Sequence, residues 1–205
     1  MMSLIRNLYD WVLKWSESKY GPIALGVMAF AEASFFPIPP DVLLIALALG
    51  MRSKSIQYGL ICSIGSVLGA VCGYAIGSLL WWNGVDQFSQ LAQFFFNSIP
   101  GFSPDLFYLI KTKYEVWNFW IIFTAGFTPI PFKVFTVSAG AFDVNFIMFI
   151  VASTLSRSAR FFLVSGLIWK YGKPIHVFID KYFNKLAILF TSLLISGFLL
   201  IKYLI

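Results

Sequence analysis

Two Pro-Ile-Pro breaks, each set inside an apolar run, limit what this chain can fold into. They lie in AEASFFPIPPDVLLIALALG (Ala31–Gly50) and TPIPFKVFTVSAGA (Thr128–Ala141), with Pro37 and Pro129 ninety-two residues apart. Proline has no N–H to give a helix and pushes the residue before it into extended backbone. Neither run can therefore continue as one straight helix. As a single helix, Gly21 to Gly50 would measure about 45 Å, against a bilayer hydrocarbon core of about 30 Å. Split at Pro37, Pro39 and Pro40, neither half spans that core. Two half-helices meeting at a break predict a re-entrant hairpin, which enters and leaves on one side. Such backbone is tolerated at depth where protein buries it or water lines it. Two short tilted spans are the alternative reading.

Composition places these runs in a membrane. Hydrophobic residues make up 59% of the 205 and charged residues 12%, where soluble domains carry roughly 25% charge. Ile56–Trp82 and Asn145–Trp169 are long enough to cross once each, as is Leu186–Leu204 after a basic loop, so that 173–205 reads as loop plus C-terminal transmembrane helix. Residues 1–20 are amphipathic, with Leu4, Leu8, Trp11 and Trp15 on one face and Arg6, Asp10, Lys14 and Glu17 off it. This predicts an interfacial helix rather than a cleaved leader; an ordinary soluble lead-in helix is the alternative. Within 83–116, LAQFFFNSIPGF predicts a second interfacial piece. A net charge of +6 in such a chain points to cytoplasmic loops and anionic lipid heads rather than to nucleic acid.

The breaks belong to a repeat. Pro37, Pro39, Asp41 and Val42 align with Pro129, Pro131, Lys133 and Val134, and each copy leads into a spanning helix. The order is hairpin, span, hairpin, span, giving repeat one over 21–82 and repeat two over 117–172, with a further span at the end. Nine basic residues (Arg6, Lys14, Lys19, Arg52, Lys54, Lys170, Lys173, Lys181, Lys185) then share one face, against Lys111, Lys113 and Lys202 on the other. The positive-inside rule places the N-terminus in the cytoplasm. The two hairpins then enter from opposite faces, so the predicted fold is an all-α polytopic membrane protein with an inverted-topology repeat, an architecture that carries its site at the midplane. Full double spans would leave the same loops on the same faces, so the charge count settles sidedness alone. Gly65, Gly69, Gly73 and Gly77 form a small-residue stripe on the first spanning helix. It predicts close helix packing, either within the chain or between copies in a homo-oligomer.

Five charges stand in apolar surroundings: Glu32, Asp41, Lys133, Arg157 and Arg160. Each costs about 2.5–3.5 kcal/mol at a transmembrane helix centre, so each needs a partner or water. One reading gathers them around a polar cavity where the hairpin tips meet. There Glu32 and Asp41 carry protons or gate, and Lys133, Arg157 and Arg160 hold a phosphate, arginine having the forked geometry for it. The other reading pairs them as structural glue, Asp41 with Lys133 for example. The aromatics beside the breaks, Phe35, Phe36, Phe127 and Phe132, read as packing, with closure of the cavity against lipid as the alternative, and Ser34, Thr128, Thr136 and Ser138 as donors to backbone groups that the prolines free. Cys62 and Cys72 read as packing residues and His176, the single histidine, as a surface residue. No metal-ligand cluster, nucleotide loop or nucleophile–histidine set is present, so neither an enzyme nor a cofactor is expected.

Taken together, the E-x4-P-x-P-x-D pattern at Glu32–Asp41, GYAIG (73–77), GFTPIPFKVFTVSAGAF (126–142) and SRSARFFLVSGLIWKYG (156–172) resemble the DedA family, also called the VTT or SNARE-associated domain. The resemblance spans about residues 20–172. It implies an inner-membrane protein with two opposed re-entrant hairpins, in a family linked to moving phospholipids and polyprenyl phosphates between leaflets and to proton coupling. Its acidic pair falls on Glu32 and Asp41. Where many members carry arginines beside the second break, this chain has Gly126 and Phe132, with Lys133 one residue on. The resulting expectation is an inner-membrane lipid translocase whose partners are lipids and protons. A proton-coupled small-ion transporter and a non-transporting assembly factor are the alternatives.

Overall fold

The computed structural model describes residues 18–35, 39–84, 87–98, 103–128 and 130–172. The predicted interfacial helix up to residue 17, Pro37, Pro129, His176 and the 173–205 loop and span lie outside the described residues. The described elements are all helical, with no strand among the described residues beyond one Trp82–Phe88 bridge. They are α1 (Gly21–Ser34), α2 (Asp41–Gly50), a 3-10 turn (Arg52–Lys54), α3 (Ser55–Leu80), α4 (Gln90–Ser98), α5 (Pro104–Phe127), α6 (Phe132–Ala141) and α7 (Phe146–Tyr171).

Local chemistry sets the ends. Ser103 caps α5 by accepting the Leu106 N–H at 3.2 Å, with Pro104 in the first turn, where a missing N–H costs nothing. Asn145 caps α7 through the Met148 N–H at 3.0 Å. That helix stops at Gly172, whose φ of 61° suits glycine. Helix α5 begins well before the expected start of repeat two at 117. The two readings meet at Trp117, whose φ of −114° and ψ of 16° kink α5 at that residue.

The halves correspond. Helices α2 and α6 each have 10 residues, and α3 and α7 each have 26. Helix α1 runs parallel to α3, because Gly26, Phe30 and Ala33 press their carbonyls onto Gly65, Gly69 and Gly73 in turn. Helix α5 runs parallel to α7: Tyr114 meets Phe142, just ahead of α7, and Gly126 backs onto Ser156 further along. The second hairpin helices cross over. Helix α6 lies along the C-terminal half of α3, with Thr136 at Gly73 and Val137 at Gly77. Helix α2 lies along α7, with Asp41 at Arg160 and the following turn at Trp169. The long helices are antiparallel, Gly59 meeting Ser165 and Tyr74 reaching the Val144 carbonyl at 2.6 Å. The two hairpins thus approach from opposite ends of the α3–α7 pair, and their breaks meet near its middle.

The glycine stripe is an internal contact. A Cβ at Gly65, Gly69 or Gly77 would collide with the carbonyl oxygen of Gly26, Phe30 or Val137, and one at Gly73 with Thr136. The opposite face of α3 exposes Ile56, Leu60, Ile64 and Leu68, and α7 exposes Ile147, Val151 and Leu155. The segments Arg52–Leu80 and Phe146–Tyr171 are long and apolar enough to cross a membrane. Buried side chains form two clusters, one around Leu25, Leu43, Leu47, Cys62 and Phe161, the other around Phe107, Ile122, Phe132 and Phe149.

Arg52 ties the turn after α2 to the end of α7. Its Nε donates to the Trp169 carbonyl at 2.6 Å and its Nη2 to the Lys170 carbonyl, both orphans of the last turn of α7. Arg52→Ala is expected to lower stability by about 1–2 kcal/mol, read as a lower unfolding temperature in detergent. Arg52→Lys should recover only part of it, lacking the fork.

Candidate functional site

A cavity of about 400 Å³ opens where the breaks meet, lined by Glu32, Asp41, Lys133, Arg157 and Arg160, with Pro39 and Pro131 beside them. All five charges predicted from sequence face one space. The carboxylates come from repeat one, on α1 and α2. The cations come from repeat two, on α6 and α7. Arg157 is the twelfth residue of α7, and Ser66, its partner, is the twelfth of α3. The site therefore sits where the long helices cross at mid-length.

Arg157 is the buried centre. Its Nη2 donates to Glu32 Oε2 at 2.6 Å and its Nε to Ser66 Oγ at 2.7 Å. Its guanidinium lies 5.1 Å from the ring centre of Phe132 and 4.6 Å from that of Phe161, within cation–π range. Arg157 is 2% exposed and Glu32 8%. The second Glu32 oxygen accepts the Phe132 N–H at 3.3 Å, at the N-terminus of α6, where a negative charge is favoured. Arg160 makes a fork onto Asp41, Nε to Oδ1 at 3.2 Å and Nη2 to Oδ2 at 2.9 Å, in a more open setting. Asp41 thus pairs with Arg160, and not with Lys133 as the structural reading of the sequence had it. Lys133 has no carboxylate partner among the described residues; its Nζ donates to the Phe35 carbonyl at 3.3 Å.

The prolines explain several of these contacts. A helical carbonyl expects an N–H four residues on, and proline has none. Ala33, Phe35, Ala125 and Phe127 precede Pro37, Pro39, Pro129 and Pro131 by four. Each carbonyl is met by a side chain instead: Ala33 by Thr136 at 2.9 Å, Phe35 by Lys133, Ala125 by Thr128 at 3.5 Å and Phe127 by Arg160 at 3.4 Å. The expectation that Thr128 and Thr136 serve the breaks agrees with this. Ser34 bonds within its own helix, to Phe30 and Ala31.

Three features were not read from sequence. Ser66 looked like one more small residue on α3. Phe132 is fully buried, which agrees with the packing reading, but the Arg157 guanidinium over its ring had no signal in the sequence. Gly126, where the family resemblance implies an arginine, backs onto Ser156 so closely that even a Cβ collides. Among the described residues no group of histidine, cysteine and carboxylate side chains could hold a metal.

The fold and site define an all-helical protein with two proline-broken hairpins around a mid-level charged cavity. Relatives place it further. A protein of Haemophilus influenzae described as uncharacterized is 34% identical over 168 residues, covering 81% of this chain and 81% of its own length. A Histophilus somni protein described as an HI0703 homolog is 30% identical over 180 residues, 84% of this chain and 85% of that protein. The chain belongs to the family of these two proteins. MJ0201 of Methanocaldococcus jannaschii, also described as uncharacterized, is 28% identical over 142 residues, 69% of this chain and 79% of its own. No family model and no solved structure matches the chain.

Proposed function

We propose that this chain is a polytopic inner-membrane protein of the DedA type that moves a phosphate-headed lipid between leaflets. The observation that carries the reading is the charge balance of the cavity. Two carboxylates are each committed to an arginine, and among the described residues Lys133 has no carboxylate and is held by a carbonyl. An anion is the ligand that such a space favours, and Arg160 and Lys133 are its accessible cations. The N-termini of α2 and α6 open at the same cavity and add their positive dipole ends.

Dimensions support a membrane setting. A 26-residue helix measures about 39 Å, enough to cross a core of about 30 Å, and a 10-residue one about 15 Å, or half of it. Hairpins that stop halfway, from opposite ends, fit an inverted-topology repeat with re-entrant tips. The exposed aliphatic stripes of α3 and α7 fit a lipid-facing surface. Arg52 and Lys170 share one end of the bundle, which the positive-inside rule assigns to the cytoplasm.

The test is transbilayer movement of labelled phospholipid in vesicles carrying the purified protein. Wild type should exceed protein-free vesicles. Arg160→Gln and Lys133→Gln should fall to that background while keeping their unfolding temperature near that of wild type. Arginine and lysine variants that move lipid at the wild-type rate would remove the phosphate assignment. A wild type that moves no head group, with or without a proton gradient, would end the lipid reading. It would turn attention to counterflow of small ions.

A further inference from the structure

Lys133 borders a second space. A groove of about 920 Å³ opens beside α6, against α3 and α5, and Lys133 is its single charged lining residue among the described residues. Apart from Ser34 and Ser138 the rest is apolar or aromatic, including Phe35, Ile76, Phe107, Val134 and Val137. The groove follows α6 from Lys133, near the middle of the bundle, to Ala141, where Trp82 Nε1 donates to the Ala141 carbonyl at 2.8 Å at the end of α3. Those eight steps of helix cover about 12 Å, close to the depth of one leaflet of a core of about 30 Å. A polar cavity and an apolar groove about one leaflet deep therefore share Lys133, a cation with no carboxylate partner among the described residues.

We infer that this groove seats a hydrocarbon chain of the lipid whose phosphate occupies the charged cavity. The inference rests on the translocation reading and adds to it that the chain travels inside the protein, beside α6, rather than staying in the bilayer. Continuity carries the assignment. One side chain, Lys133, touches both spaces, and an amphiphile with an anionic head is the ligand that satisfies both at once. The apolar wall rewards burial of methylenes at about 0.8 kcal/mol each, while the cavity offers the head its charge partner. A soluble anion would leave the groove unused, and a neutral hydrocarbon would leave Lys133 unpaired.

Two measurements on the full-length protein in nanodiscs decide it. Phosphatidic acid bearing a diazirine at the end of one acyl chain is photolysed, and the labelled peptides are identified. Labelling is expected on Val134, Val137 or Phe107. The second measurement uses Val134→Trp and Ser138→Trp, one turn apart on α6 and outside the charged cavity. Movement of long-chain lipid should drop to the protein-free rate, while binding of dibutyryl phosphatidic acid, which has almost no chain to seat, stays at wild-type strength. Three results would overturn the groove. One is labelling confined to bilayer-facing positions such as Ile64 and Ile147. Another is unchanged long-chain movement in both tryptophan variants. The third is a Ser138→Cys that crosslinks to residues 173–205 or to a second copy instead of to lipid. In any of these the translocation reading stands if wild type still moves lipid. If wild type moves none, that reading fails, and the photolabel alone decides the groove.

Discussion

Glu32→Gln is expected to be the most damaging single change in the cavity. It removes the counter-charge of a guanidinium that is 2% exposed and cannot shed its proton. Gln keeps an oxygen for the Phe132 N–H and a similar volume, but its amide NH2 then faces the Arg157 Nη2 donor, so an acceptor is lost along with the charge. Breaking a buried pair from one side costs about 3–5 kcal/mol, a large share of the roughly 5–15 kcal/mol that holds a domain folded. Two aromatic faces and Ser66 remain on Arg157, but none of them carries a full negative charge. The unfolding temperature should fall steeply, as followed by the fluorescence of the seven tryptophans. Arg157→Met in the same chain should restore much of it, because removing both charges also removes both desolvation penalties. A double variant no better than Glu32→Gln alone would mean that the pair is not what stabilises this junction. The more open Asp41–Arg160 pair should show far weaker coupling in the same cycle.

Gly77→Ala should be the most damaging change on the glycine stripe. A Cβ there meets the Val137 carbonyl oxygen and lies 2.8 Å from the Ala141 nitrogen. Both are backbone atoms, so no rotamer change relieves the clash, and α6 must move off α3. Overpacking of this kind costs about 1–3 kcal/mol or more, which outweighs the roughly 1 kcal/mol that alanine gains over glycine inside a helix. Because Lys133 rides on α6, the lipid movement proposed above should fall along with stability. Gly166→Ala is the control. Nothing lies within 4 Å of its Cβ position, so it should be neutral or stabilising. If the two substitutions behave alike in thermal unfolding, close approach is not the reason for glycine at 77.

Much of the local structure was legible in the sequence because proline and glycine act through hard backbone constraints. The breaks at 37–40 and 129–131 and the packing stripe at 65–77 follow from a missing N–H and a missing Cβ. The five charges stood out because an apolar chain cannot leave them unpartnered. Pairing was less legible. Asp41 and Lys133 occupy matching places in the repeat, which made them look like partners, yet Asp41 lies along α7 and meets Arg160. The choice depends on which helix crosses over, and the repeat alone is silent on it. Ser66 carried no signal beyond its size until α3 and α7 were seen to cross there. The early start of α5 did have a signal: Ser103-Pro104-Asp105 is a helix-opening pattern. It was hidden by Lys111, Lys113 and Glu115, which made the first half of the helix look like a connection.

The carbonyls left over at the proline breaks have a mechanical consequence. Those of Phe35 and Phe127 are braced by Lys133 and Arg160, the same two side chains that line the charged cavity. A ligand that recruits these cations draws them off the backbone, and each bend loses its brace as the cavity fills. A proline bend without a brace is the softest joint in a helical hairpin. On the anion reading proposed above, filling the cavity and holding the Phe35 and Phe127 carbonyls draw on the same two cations.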